Sequence, residues 1–163
     1  MTHQETKYDQ GRKELSINSM YFNRYLLIRY LTAGFFFVNL YWAVLMVNTT
    51  GLIKWLPVLL LIVNGAIAVE QVGKYWYRSH DAPVTKWGYW IQFLANIGIL
   101  MGLATGQATT LFPFFATKGV SYAVIATIIG LLFSLLIERR VWLIAHDRDT
   151  YYQRIQAFVS SLN

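Results

Sequence analysis

Four apolar runs, each long enough to cross a lipid bilayer, constrain this chain more than any other feature. They extend from about Tyr25 to Val47, Leu52 to Val72, Trp87 to Gln107 and Gly119 to Ile137. A hydrocarbon core of roughly 30 Å takes about 20 apolar residues in helical form, and a helix satisfies its own backbone hydrogen bonds where water is absent. One such run fits inside a soluble domain. Four of them in 163 residues leave too little polar surface to cover them. Only 13% of the residues are charged, against about 25% in an ordinary soluble domain. The 56% hydrophobic content excludes disorder as well. The expectation is an all-α, polytopic membrane protein forming one domain over residues 1–163. It comprises a polar segment 1–24, spans over about 25–47, 52–72, 87–107 and 119–137, and a tail 138–163.

The positive charges are one-sided. Of the 14 Lys and Arg residues, all but Lys54 and Lys118 lie before span one or just inside its start (Arg29), between spans two and three, or after span four. All 8 acidic residues fall on that same side, Glu70 at the inner end of span two. The positive-inside rule then predicts that both termini and the middle connection are cytoplasmic, in a multi-pass protein of the cell membrane. The net charge of +6 points to anionic headgroups of the inner leaflet as a partner. Nucleic acid is not expected, because the basic residues form no continuous stripe and no reading motif is present. The polar start of the chain followed by a full span reads as an uncleaved signal anchor. The absence of cysteine removes disulfides and thiolate metal sites.

Aromatic residues gather near the ends of the spans: Tyr21, Phe22 and Tyr25; Trp55; Tyr75, Trp76 and Tyr77; Trp87, Tyr89 and Trp90. Phe112, Phe114 and Phe115 surround Pro113 in the second outer link. Amphipathic rings favour the headgroup level, so anchoring is the expected role, with an aromatic ligand cage as the rival reading. From Tyr151 to Leu162, apolar residues recur at helical spacing between Gln and Arg residues. The pattern predicts an amphipathic C-terminal helix lying on the inner leaflet or on a partner. A weaker helical pattern covers Glu5 to Asn23.

Two stripes of small residues stand at intervals of four: Gly98, Gly102 and Gly106 in span three, and Ala126, Gly130 and Ser134 in span four. Such spacing lets helix backbones approach closely. Spans three and four are therefore expected to pack together, or else the glycine face serves a second copy or a larger membrane protein. Polar side chains inside lipid are the usual pointer to function. The candidates are Asn39, Asn64, Gln92 and Asn96, with Glu70 near the inner end of span two. The amides either hydrogen-bond across the bundle or line a pathway. Glu70 is expected to form an ion pair with Lys74 or Arg29. The pairs His80-Asp81 and His146-Asp147 lack a third ligand at helical spacing, so neither a metal nor any other cofactor is expected. No catalytic triad or nucleotide loop is present.

The stretch from Asn18 to Tyr25, Asn-Ser-Met-Tyr-Phe-Asn-Arg-Tyr, precedes an aromatic-rich first span. Together with the four-span plan it resembles short Gram-positive membrane proteins sometimes labelled cellobiose phosphotransferase subunits. The resemblance implies an association with sugar uptake. It does not imply phosphotransfer, because no histidine here matches a phosphorylatable one.

Three functions follow in order of expectation. The first is a non-enzymatic accessory, immunity-type or interaction subunit of a membrane system. The second is a small oligomeric transporter or channel, linked to sugar uptake if the resemblance holds. The third is a lipid-modifying enzyme with a polar cluster around Glu70, His80, Asp81 and Glu138.

Overall fold

The computed structural model describes residues 3–74 and 81–160, all of whose regular structure is helical. Helix α1 covers His3–Arg24 and α2 covers Leu26–Leu45, with Tyr25 as the break between them. A 3-10 turn at Leu52–Lys54 leads into α3, Trp55–Gly73, where Pro57 sits in the first turn and interrupts no intrahelical bond. Helix α4 covers Pro83–Ala104, α5 is the single turn Ala108–Leu111, and a 3-10 turn spans Thr117–Gly119. Helix α6 covers Val120–Ala145 and α7 covers Thr150–Ser160. Four of these segments are long and apolar enough to cross a membrane.

Three boundaries differ from the expectation, each for a local reason. Helix α4 starts at Pro83, ahead of the expected Trp87, because Pro is pre-organised for a first helical turn. It ends at Ala104 because Gly106, at φ +80°, reverses the chain. There Gln107 N donates to Gly102 O (2.9 Å) and Gly106 N to Leu103 O (3.2 Å), a Schellman closure. Helix α6 continues past Ile137 to Ala145 through Glu138, Arg139 and Arg140, residues with good helix propensity. It stops where Asp147 adopts φ 53°.

Helices α4 and α6 pack most extensively, followed by α2 with α3, then α3 with α4. Helices α2 and α6 touch only sparsely, so the bundle is closed on three sides and parted on the fourth. One apolar cluster, including Ile28, Phe35, Ile67, Tyr89, Ile137 and Ile144, fills the end nearest α1 and α7. A second, built from Trp42, Met46, Leu60, Ile99 and Leu111, fills the other end. The outward faces are apolar too: Val38, Ile62, Leu94 and Leu132 are all exposed. That inversion suits four spans surrounded by lipid.

Helix α7 packs along α1, and Ile155 is its buried anchor. The link is ionic at its root. Arg24, 1% exposed, donates from Nε to both Asp149 carboxylate oxygens (2.9 and 3.0 Å). Its Nη2 also bonds Asp149, reaches Asp147 Oδ1 at 2.8 Å and donates to Ile144 O at 3.0 Å. Burial alone pulls the Arg24 guanidinium down, yet the two carboxylates hold it above its ordinary value.

Candidate functional site

The four amides named from the sequence converge between the two apolar clusters. Gln92 on α4 is long enough to reach the bundle centre, where its Oε1 accepts from Asn64 Nδ2 on α3 (3.1 Å) and Asn39 Nδ2 on α2 (3.3 Å). Gln92 Nε2 donates in turn to Asn96 Oδ1, one helical turn further along α4 (3.3 Å). Asn64 Nδ2 also donates to Leu60 O at 2.8 Å. One glutamine thus ties three helices together. Interhelical contacts of this kind average about 0.6 kcal/mol each, so their main effect is to fix register and rotation.

The layer is not fully satisfied. Asn96 Nδ2 and Asn64 Oδ1 are buried with no hydrogen-bond partner among the described residues. Asn96, 5% exposed, lines a cavity of about 380 Å³ in the opening between α2 and α6. Asn39 and Gln92 line it as well, with Phe35, Trp42 and Thr127. At its far end Phe112 stacks on Trp42 (5.1 Å between centroids), and Trp42 Nε1 donates to Leu111 O (3.2 Å). Phe114 and Phe115 pack against Phe112 and also line the cavity. The phenylalanines around Pro113 therefore form a wall of the cleft as well as a link between spans.

Glu70 has a different position. Its Oε1 accepts from Val84 N (3.1 Å), and its Oε2 accepts from Thr85 N (2.7 Å) and Thr85 Oγ1 (2.6 Å). The carboxylate caps α4 from the neighbouring helix, satisfying amides that no side chain of α4 caps. Gln71 Nε2 extends the chain by donating to Thr85 Oγ1 at 2.6 Å. The expected Arg29 partner points elsewhere: Arg29 donates to Gln71 O (3.1 Å) and Phe22 O (3.5 Å) and lies over the Phe22 ring.

The small-residue stripes divide. On α6, Gly130 faces the bundle: a Cβ there would stand 3.1 Å from Asn96 Nδ2 and 3.5 Å from Phe35. Ser134 is buried beside it, and Ala126 lines the cleft. On α4, Gly102 makes room for Leu111 of α5, whose Cδ1 would lie 2.7 Å from a Cβ. Gly106 is the reversing residue of the helix end, and nothing approaches Gly98. The close approach of α4 and α6 therefore falls at Gly130, not along the α4 glycines.

Of the His-Asp pairs, His80 lies outside the described residues, and the Asp81 carbonyl accepts from Lys74. His146 Nδ1 lies 2.9 Å from Trp142 O while its ring packs on Trp142. Asp147 belongs to the Arg24 cluster. Among the described residues no three His, Asp or Glu side chains are grouped to hold a metal. Sequence reasoning counted Asp149 only as a charge, placed Arg24 in a basic segment and read Asp147 only beside His146, so it did not join the three. The turn-forming run Asp147-Arg148-Asp149 between two helical patterns was a local signal, but its partner lies 125 residues away. Tyr89 was read as an anchor, whereas it is fully buried with its hydroxyl 2.8 Å from Thr32 Oγ1.

The fold and site define an all-helical chain with four membrane-length segments, a central amide layer and a cleft on one side. Comparison with family models, curated proteins and solved structures returns no match, so a functional reading has to come from these side chains.

Proposed function

We propose that this protein is a non-catalytic interaction subunit of a membrane system, binding another membrane component at the parted α2–α6 side. The observation that carries this reading is the Asn96 amide, a buried donor without a partner at the edge of an aromatic-lined cleft. A buried polar group left unpaired costs about 1–3 kcal/mol. A bound component offering an acceptor, such as a backbone carbonyl or an ester, recovers that cost while apolar contacts cover Phe35, Val38 and Tyr122. The charge bias supports an orientation with α1 and α7 in the cytoplasm, and α7 at the inner surface beside the headgroups.

Site-specific photo-crosslinking in intact cells tests this reading. A photoreactive residue at Ala126, which lines the cleft, is expected to give a discrete adduct that Asn96→Leu weakens. The same residue at Ile129, exposed on another part of α6, is expected to give none. Identical patterns at the two positions would contradict the assignment.

A small oligomeric transporter is the second reading, favoured by Asn39, Gln92 and Asn96 all lining the cleft. It predicts solute flux in liposomes that falls when Asn39 or Asn96 becomes leucine. The binding reading predicts no flux from the protein alone.

A further inference from the structure

On the other side of α2, a separate groove of about 300 Å³ runs between α2 and α3. Its exposed lining is almost wholly apolar, including Ala33, Phe36, Ala68 and Val72, with Arg29, Thr32 and Gln71 as the polar exceptions. Arg29 lies near the start of α2, at the end of the bundle where α1 and α7 meet. It is half-buried, and its two hydrogen bonds go to carbonyl oxygens, of Phe22 and Gln71. Among the described residues no carboxylate pairs with it. Gln71 supplies a second, independent observation: it is 1% exposed, its Nε2 is committed to Thr85, and its Oε1 has no partner among the described residues. A fixed cation and an acceptor lacking a donor thus stand beside one apolar groove.

We infer that this groove is a binding site for an anionic glycerophospholipid, with the phosphate on Arg29 and an acyl chain along Ala33, Phe36 and Ala68. A guanidinium is built to bind phosphate oxygens through several N–H groups at once. Its carbonyl bonds and its stacking on Phe22, 3.6 Å from the ring centroid, fix its position before the lipid arrives. A headgroup hydroxyl, as in a glycerol headgroup, is the donor that Gln71 Oε1 lacks. The site does not depend on the α2–α6 cleft, and its test reads a different ligand.

The experiment is native mass spectrometry of the full chain in detergent, titrated with phosphatidylglycerol or phosphatidylcholine of matched chains, and separately with glycerol phosphate. Wild type is expected to bind phosphatidylglycerol about tenfold more tightly than phosphatidylcholine, because both present the phosphate but the choline cation is repelled by Arg29 and offsets the attraction. Arg29→Gln is expected to bring the ratio close to one, whereas Arg139→Gln, at an exposed position on α6, leaves it unchanged. Ala33→Phe fills the groove and keeps the charge, so it is expected to weaken phosphatidylglycerol binding even if Arg29→Gln does not fold. Retained lipid preference in Arg29→Gln, or unchanged affinity in Ala33→Phe, overturns the proposal. So does glycerol phosphate binding as tightly as the lipid, because the groove would then contribute nothing.

Discussion

Arg24, the last residue of α1, and Asp149, just ahead of α7, form a buried bidentate ion pair that joins the two ends of the chain. Asp149 does more than balance charge, since its Oδ2 also accepts from Tyr152 N (3.3 Å) in the first turn of α7. Arg24 in addition lies 5.0 Å from the Tyr152 ring centroid. One carboxylate therefore caps a helix and holds it against another.

Removing one partner of a buried pair strands the other charge. Asp149→Ala is expected to destabilise the α1–α7 clasp by about 3–5 kcal/mol. Asp147, whose side chain is 36% exposed, contributes far less, and Asp147→Asn is expected to cost at most about 1 kcal/mol. Limited proteolysis of the tail, with thermal unfolding in detergent, measures both. Equal effects from the two variants would show that burial does not set the ranking.

Glu70 provides the cap for α4, so Glu70→Ala is expected to lower stability by about 1–2 kcal/mol. Thr85→Val leaves the Thr85 amide on Glu70 but strands the buried Gln71 Nε2, so its cost is expected to be comparable, about 1–3 kcal/mol, while the first turn of α4 stays capped. Hydrogen exchange at the first turn of α4 is the local readout. Protection unchanged in Glu70→Ala would remove the cap from the account.

Gln92 and Asn96 are expected to behave differently although they are hydrogen-bonded to each other. Gln92→Leu takes the shared acceptor from Asn39 and Asn64, and is expected to cost about 1–3 kcal/mol. Asn96→Leu removes a donor that has no partner among the described residues but also the acceptor of Gln92 Nε2. The two effects offset, so its cost is expected to stay below that of Gln92→Leu, which strands two donors, while binding at the α2–α6 cleft falls. Unfolding of both variants, set beside crosslinking at Ala126, separates the two effects. A larger stability loss from Asn96→Leu than from Gln92→Leu would reverse this division.

The glycines should separate as sharply. Gly98→Ala meets open space and is expected to be neutral or to stabilise by up to about 1 kcal/mol, through helix propensity. Gly130→Ala places a methyl group 3.1 Å from Asn96 Nδ2 and is expected to weaken cleft binding. Gly106→Ala forces a side chain into φ +80° and is expected to cost about 1 kcal/mol. Thermal shifts of the three variants rank them.

The four spans were legible because a bilayer imposes a length and an apolarity that no soluble fold requires. Asn39, Asn64, Gln92 and Asn96 were legible for the same reason: each is an exception to that apolarity. Glu70 stood out too, but only as a charge near a span end. That it caps α4 depends on how α3 and α4 are turned, which no local pattern encodes. The spacing of Gly98, Gly102 and Gly106 suggested one helix face for close packing. Instead, Gly102 accommodates Leu111 and Gly106 reverses the chain.

Taken alone, the amino-acid sequence determined that this chain forms four membrane-length helices with a few polar residues inside them, because hydrophobic length is a local property. Only the tertiary structure decided which side chains meet. It joined Arg24 to Asp149 across 125 residues, gathered four amides on three helices around Gln92, and left α2 parted from α6. Those outcomes depend on helix rotation and packing, which arise from shape and hydrogen-bond matching over distances that composition and periodicity do not reach.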